Sequence, residues 1–519
     1  MALYSCFSGL LAFAGHGGLL ALGLLTACQA PPKPLRISVV GDVLLDRGVP
    51  PALARDSAAL RRTTRRLWAG SRYVLGNLEC PLTTARQPAA KAFVFRAAPR
   101  YAPWLRQLGF THLSLANNHT LDQHLPGLRE TAATLAAAKL GALGYTANAQ
   151  AGCQPTLLGP DSSVAVFAYS DLHQRLAGES CLCGRDFVAL CERVAAYKTL
   201  FPGRAVLVYL HWGTEYAEQP GPAQRTQART LIDCGAAAVV GAHPHVVQTM
   251  EFYRGSPILY SLGNFLFDQQ GRATDLAVQA DFEVAQGHVA TTHLRPVQLR
   301  RALPYPADEA AKAALAARIQ RISPDVQLLP NADTGGWELM PKPGAAHPGS
   351  AGPGYFSRQL TLPTPTGARA LVRLRYLPRV GYYQALVRTD SAETVLPLGF
   401  PVYQFAQGDV DNDGHPDLLV GPIKTTHFDS TRQRRLFVYR LDAGGRLRPR
   451  WLGSKVVYRL LYFRVMRGAA GRTYVRTVEQ APNGRYCIGH YSWQGFGLML
   501  DRFAARNVSR DAAYTHFIQ

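Results

Sequence analysis

The chain has 519 residues, of which 47% are hydrophobic and 18% charged. That composition excludes a disordered polymer, and the length exceeds what one hydrophobic core holds, roughly 250–300 residues. Net charge is +21 and lopsided: residues 423–519 carry 18 Lys/Arg against 5 Asp/Glu, a surface that attracts polyanions, with an unpartnered solvated face as the alternative.

At the N-terminus, residues 7–27 (FSGLLAFAGHGGLLALGLLTA) contain no Asp, Glu, Lys or Arg and end in small residues before Cys28, the pattern of an export signal. The run LTAC, Leu25–Cys28, resembles a bacterial lipobox, whose cysteine is lipidated and becomes the mature N-terminus. Residues 1–28 are therefore expected to be a signal peptide, with Cys28 as the lipidation site. The protein is then lipid-anchored in the cell envelope, on the periplasmic or cell-surface side. No Lys or Arg precedes Cys28, unlike the usual basic start, so a transmembrane anchor is the alternative. Export argues against a nucleic-acid partner and permits disulfides. Setting aside Cys6 and Cys28 leaves seven cysteines, an odd number. Cys181, Cys183 and Cys191 lie in CLCGRDFVALC, whose CxC spacing favours a disulfide or free thiols over zinc.

From residue 35 the chain alternates apolar β-branched runs with helical patterns. LRISVVGD (35–42), YVLGNLE (73–79), HLSLANNH (112–119), VAVFAY (164–169), AVLVYLHWG (205–213) and AAAVVGAHPH (236–245) read as strands. Segments 125–141 and 224–235 read as helices between them, and 308–323 as a closing helix. This is an α/β domain over 36–323, with strands buried on both faces and sites expected beyond their C-terminal ends. The segment PKPGAAHPGSAGPG (341–354) marks a Pro/Gly-rich linker over 324–367. Short aromatic and β-branched runs then predict an all-β region over 368–519, of about ten strands with no clean repeat period, so a complete propeller is not expected.

The strand ends carry the chemistry. Asp42 ends the first, Glu79 the second, and Asn117, Asn118 and His119 the third. His211 ends another, and His243 and His245 flank Pro244 at the last. Each alone is an ordinary turn or packed residue. Together, a mixed carboxylate, amide and imidazole set suits one or two divalent ions such as Mn, Zn or Fe. Such ions activate water and hold a phosphoryl or carbonyl oxygen.

The ordered string GD…NLE…ANNHTLD…HWGTEY…GAHPHVVQ…YSLGNFLFD, over roughly residues 36–270, resembles the CapA/PgsA family of bacterial capsule and poly-γ-glutamate synthesis proteins. That family is similar in fold to calcineurin-like metallophosphoesterases, a two-sheet sandwich flanked by helices with a dinuclear metal site. The resemblance implies Asp42 at the first metal, Glu79 as the bridging carboxylate, Asn118 and His211 at the second metal, and His243 and His245 completing the two sites. His119 would protonate a leaving group, oriented by Asp122. Asn117, Trp212, Glu215 and Asn264 are the candidate substrate contacts, with Tyr216 and Asp268 beside them. Arg47 and Arg96 are either anion contacts or solvated charges. Two departures stand out: Leu44 occupies the place of the histidine in the phosphoesterase Asp-x-His motif, and Glu79 stands where an Asp is usual. A single metal or a structural site therefore stays open.

In the second region, GDVDNDGHPDLLVG (408–421) places Asp409, Asp411, Asp413 and Asp417 at loop positions 1, 3, 5 and 9, with the His415 carbonyl at 7. That spacing suits Ca²⁺, although Val420 replaces the EF-hand's final Glu. It resembles the calcium loop of FG-GAP/VCBS-type repeats; an acidic hairpin without metal is the alternative.

Two functions follow as expectations. One is an envelope lipoprotein acting in synthesis or attachment of an exported anionic polymer, poly-γ-glutamate or capsular polysaccharide, within a polymer synthesis or export complex and with a metal-dependent hydrolase-like site. The other is a non-catalytic surface protein that binds such a polymer, or a lipid headgroup, through a degenerate pocket and the basic β-region.

Overall fold

Strand Ala205–His211 shows how the pattern becomes structure, because all seven of its residues are buried. Val206, Val208 and Leu210 face one apolar layer, while Leu207 and Tyr209 face another. The two-residue period thus serves two cores at once, as a sheet covered on both sides requires.

The computed structural model describes residues 34–147, 153–159, 161–172, 182–184, 186–269, 271, 273–343, 359–377, 382–390, 392–426, 429–453, 456–468, 471–495 and 497–519. Cys28 and the proposed signal segment lie outside them, as do Cys181 and residues 344–354 of the expected linker. Among the described residues no helix is long and apolar enough to cross a membrane.

Pro34–Gln519 forms one unit of mixed α/β and all-β structure. Its first sheet has ten strands. The central strand Leu35–Val43 pairs in parallel with Tyr73–Leu78, which leads on to His112–Ser114 and Gly141–Leu143. On its other side lie the antiparallel strands Leu276–Ala285 and His288–Arg300. The second sheet has six strands, including the parallel series Val164–Ser170, Ala205–His211, Ala238–Ala242 and Ser256–Leu259. Ile37, Val39 and Phe282 of the first sheet share one core with Val166, Leu207 and Val240 of the second. Helices Val49–Leu67, Tyr101–Leu108 and His124–Ala137 cover the outer side of the first sheet through Leu60, Leu105 and Leu128. Phe187–Leu200 and Pro222–Asp233 cover that of the second through Val194 and Leu231. Cys153 and Cys183 form a disulfide, while Cys80, Cys191, Cys234 and Cys487 are free and buried.

The expected linker needs correction. Val326–Asn331 and Gly336–Pro341 are strands of the first sheet, and Trp337 and Leu339 enter the core between the sheets. Pro330 misled the reading, but Val326–Asn331 is an edge strand, where a proline removes no needed ladder bond. The β-region also starts earlier, at Gln359–Pro363, and has thirteen strands among the described residues rather than about ten. They form three successive antiparallel sheets: the first spans 359–397, the second 402–451 and the third 459–508. Neighbouring sheets share cores, and Tyr462 and Ile488 of the last pack with the C-terminal helix Arg510–Ile518 against Tyr197.

One close approach sets the edge of the first sheet. A Cβ on Gly41 would lie 1.8 Å from the Gly263 carbonyl oxygen, so only glycine lets strand Leu35–Val43 reach Asn264–Leu266. Gly41→Ala is expected to lower the unfolding free energy by roughly 1–3 kcal/mol. Urea denaturation measures this; Gly203→Ala, whose Cβ meets nothing within 4 Å, should leave it unchanged.

Candidate metal centre

The parallel strands of both sheets end at one edge, and their next residues converge there. Asp42 sits in register with Asn77 on one side and Asn264 on the other. The pleat carries Asn77 and, two residues on, Glu79 to the same side. From the second sheet come His211, which ends its strand, and His243 and His245, which follow Ala238–Ala242. His243 and His245 have φ of +95° and +59°. Non-glycine residues rarely adopt that conformation, and a site that does so holds local strain for a geometric purpose. Here it turns the ring on each side of Pro244 inward, with centroids 5.9 Å apart.

Two triads of ligand atoms result, Asp42–Glu79–His245 and Glu79–His211–His243, and within each the atoms lie within 4.8 Å of one another. All five residues are buried and Glu79 is common to both. Its Oε1 lies 3.8 Å from His211 Nε2, 4.0 Å from His245 Nε2 and 4.0 Å from His119 Nε2. His245 Nδ1 is 3.2 Å from Asp42 Oδ2, and Asn118 Oδ1 is 2.8 Å from His211 Nε2. His119 Nδ1 is 2.8 Å from Asp122 Oδ2. Asp42 is further held by the Asn77 amide, at 2.8 Å, and by the His243 backbone N–H.

Electrostatics of the bare cluster are out of balance. Burial, then the Asp42 charge, pushes the Glu79 carboxyl well above the usual range. Asp42 is lowered: burial opposes ionisation, but His245 and the Asn77 amide outweigh it. His245 rises to about 9, because Glu79 and Asp42 overcome the effect of its own burial. Burial and the neighbouring His245 depress His243 to about 4, and burial and His243 push His211 well below its normal value. Burial also lowers His119, against the pull of Asp122. Two buried atoms, Glu79 Oε2 and His243 Nδ1, have no hydrogen-bond partner among the described residues. Orphaned polar atoms of this kind cost stability unless something else binds them. These residues fit a divalent cation, whose charge would answer the buried carboxylates and which Glu79 and His243 could ligate.

Leu44 is fully buried in the helix-covered core, and its side chain belongs there rather than to the site. On the Asp42 side the cluster instead contains Asn264, with Oδ1 2.9 Å from His245 Nδ1 and its amide donating to Gln269. Glu215 is exposed and its carboxylate groups with His243 and His245. Two expected substrate contacts are corrected. Trp212 is buried, stacks on Tyr260 and donates its indole N–H to the Tyr260 carbonyl, so it packs the outer core. Asn117 is buried and braces the turn, donating to Asn77 and the Leu78 carbonyl and accepting from the His119 N–H. Arg47 pairs with Asp268 and lies over Phe95 and Phe267 at the rim, while the Arg96 N–H donates to Asp46.

Two residues escaped the sequence reading. Asn77 also approaches His211 Nδ1 at 3.1 Å, and its place two residues before Glu79 was a usable signal. Lys91 comes from the non-repetitive stretch 79–100, which carries no motif. Its ammonium donates to the Asn118 carbonyl at 2.9 Å, lies 3.2 Å from His119 Nδ1 and pairs with Asp122.

The aspartate loop closes differently from an open cage. Asp409, Asp411 and Asp417 do cluster. Arg440, however, donates to both Asp411 oxygens at 2.9 and 2.8 Å, to Asp413 at 2.5 Å and to Asp417 at 3.2 Å. Arg450 adds a bond to Asp411 at 2.7 Å. Asp409 instead accepts the N–H groups of Asp413 and Gly414, and the His415 N–H donates to Asp413.

Comparison with known proteins agrees with the strand-end motifs. The family described as bacterial capsule synthesis protein PGA_cap matches residues 36–269. The PGA biosynthesis protein CapA of Bacillus subtilis is 27% identical over 52% of this chain and 73% of its own length. The capsule biosynthesis protein CapA of Bacillus anthracis is 29% identical over 53% and 70%. A probable polyglutamine synthesis accessory protein of Mycobacterium tuberculosis is 28% identical over 48% and 71%. Through residues 36–269, this chain is thus similar to the bacterial capsule synthesis proteins of the PGA_cap family.

Proposed function

We propose that the chain is a cell-envelope protein acting in the biosynthesis or attachment of an exported anionic polymer, poly-γ-glutamate or capsular polysaccharide, through a metal-dependent hydrolase site in a metallophosphoesterase-type sandwich. The names of its relatives support the polymer, and the signal-like segment ending at Cys28 supports a lipid anchor. The carrying observation is the pair of buried triads that share Glu79, with its Oε2 unpartnered.

Asp42, Glu79 and His245 would hold one divalent ion, and Glu79, Asn118, His211 and His243 a second. Bound there, such ions lower the pKa of water and polarise a phosphoryl or carbonyl oxygen. The chain's own groups supply the rest. Asn77 fixes the Asp42 carboxylate, and Asn264 fixes the His245 ring. Asp122 accepts the Nδ1 proton of His119, which turns Nε2 toward Glu79 and the leaving group. Burial makes the His119 imidazolium a stronger acid than a free one, so it gives up its Nε2 proton readily. Lys91 pairs with Asp122 and, through the Asn118 carbonyl, holds the turn closed.

A second reading, a non-catalytic polymer-binding protein, draws on Leu44, whose burial removes one imidazole from the first ion's set. Purified protein is expected to contain one or two equivalents of Mn, Zn or Fe, and Glu79→Gln or His243→Ala to lose them, as elemental analysis would read. Metal-free wild-type protein would sink the metal centre. With metal retained, Asp122→Asn should reduce turnover of phosphoester or γ-glutamyl substrates by about 10–100-fold. Bound metal without turnover of either substrate class selects the binding reading.

In the aspartate loop, Arg440 would compete with the expected calcium. Calcium or a chelator should therefore leave the melting temperature of the wild type unchanged. Arg440→Ala should destabilise by about 3 kcal/mol, since it strands nearly buried carboxylates, and added calcium should recover part of that loss.

A further inference from the structure

The last sheet and the aspartate loop enclose an open pocket of about 880 Å³, far from the metal centre in the chain. Its walls combine Tyr474, Trp493, Arg472, Arg502, Asp501 and Asn412. We propose that this pocket binds a carboxylated pyranose, a uronic-acid unit of an acidic polysaccharide.

The wall is built rather than incidental. Asn412 and Thr473 exchange hydrogen bonds, with the Asn412 amide donating to the Thr473 carbonyl and the Thr473 N–H to Asn412 Oδ1, which locks the loop to strand Thr473–Gln480. Asp411 holds Arg450, whose guanidinium lies 5.7 Å from the Trp493 ring centre. The Trp493 indole N–H is already given to the Gly495 carbonyl, so the ring offers a face and not a donor. Tyr474 packs tilted against His490, with ring centroids 4.7 Å apart, and accepts from Arg476, which fixes the second ring. Both rings are half-buried, so part of each stays open to the pocket. Flat aromatic faces of this kind suit the C–H face of a pyranose.

Charge decides the kind of sugar. Arg472 and Arg502 are exposed and have no ion pair or side-chain hydrogen bond among the described residues. Asp411 cannot answer them, because Arg440 and Arg450 already hold it. His490 is lowered to about 4 by burial, Arg476 and Arg502, so it is neutral at pH 7. Asp501 uses Oδ1 to accept from Ser492 and Gln494, which leaves Oδ2 for a hydroxyl donor. Two free guanidiniums match a carboxylate and a fixed carboxylate matches a hydroxyl. Polyglutamate offers the first feature but has no hydroxyls and no pyranose face.

The proposal is independent of the metal centre. Calorimetric titration of the full-length chain should give saturable binding of tetragalacturonate, with the neutral galactose tetramer and poly-γ-glutamate each at least roughly tenfold weaker. Arg472→Gln with Arg502→Gln, and separately Trp493→Ala, should each weaken tetragalacturonate by roughly tenfold or more, while Trp493→Phe keeps most of the affinity. The paired arginine change lies on the surface and leaves folding intact, which circular dichroism checks. Absence of saturable tetragalacturonate binding overturns the proposal. So does binding that poly-γ-glutamate equals and that Trp493→Ala does not alter, since that describes a bare charge patch.

Discussion

A fully buried carboxylate, Glu79, is the constraint on which the rest of the first region depends. Moving an ionised carboxylate out of water costs several kcal/mol unless charge and hydrogen bonds replace its hydration. Around Glu79 the chain supplies three imidazoles near one oxygen and nothing for the other. Every nearby irregularity serves that convergence. Gly41 and Gly263 let two backbones touch, so that Asp42 and Asn264 stand side by side. The positive φ values of His243 and His245 direct the two rings into the same space. Asn77, Asn117 and the His119–Asp122 turn brace the opposite wall. Strain and close packing are tolerated here because the cores on both faces of the two sheets hold the strand ends in place.

Much of this was legible in the sequence for a physical reason. Parallel strands covered on both sides must be continuously apolar, so their ends are visible as the first polar residues, and that is where an α/β edge puts its chemistry. Asp42, Glu79, Asn118, His211, His243 and His245 were found this way, and the structure brings them together. Trp212 was misread because one residue past His211 the pleat reverses, which sends the indole into the outer core. Lys91 was invisible: it reaches His119 from a loop with no periodicity, and only tertiary structure joins them.

The β-region was harder to read. Its three sheets repeat in space, but their strands range from five to twelve residues, so no period survives in the sequence. Antiparallel strands with one wet face tolerate many residues at outward positions, and only the inward alternation is constrained. The two strands within 324–341 were lost for a related reason. Proline and glycine mark turns on average, but an edge strand accepts both.

The same chain contains two acidic clusters, and their difference is informative. Asp411, Asp413 and Asp417 are answered from within, because Arg440 reaches into their midst and Arg450 joins from the side. Asp42 is answered by an imidazole, His245, and Glu79 by imidazoles near one oxygen only. The nearest ammonium, that of Lys91, is committed to Asp122 and a carbonyl, and the surrounding bases are imidazoles, of which burial lowers His119, His211 and His243 while Glu79 and Asp42 raise His245 against its own burial. A fold able to place an arginine on one cluster has left the other, more deeply buried one without it. Imidazoles beside paired carboxylates make a good donor set for a divalent ion. The choice of imidazole over guanidinium is therefore the feature that distinguishes the two clusters.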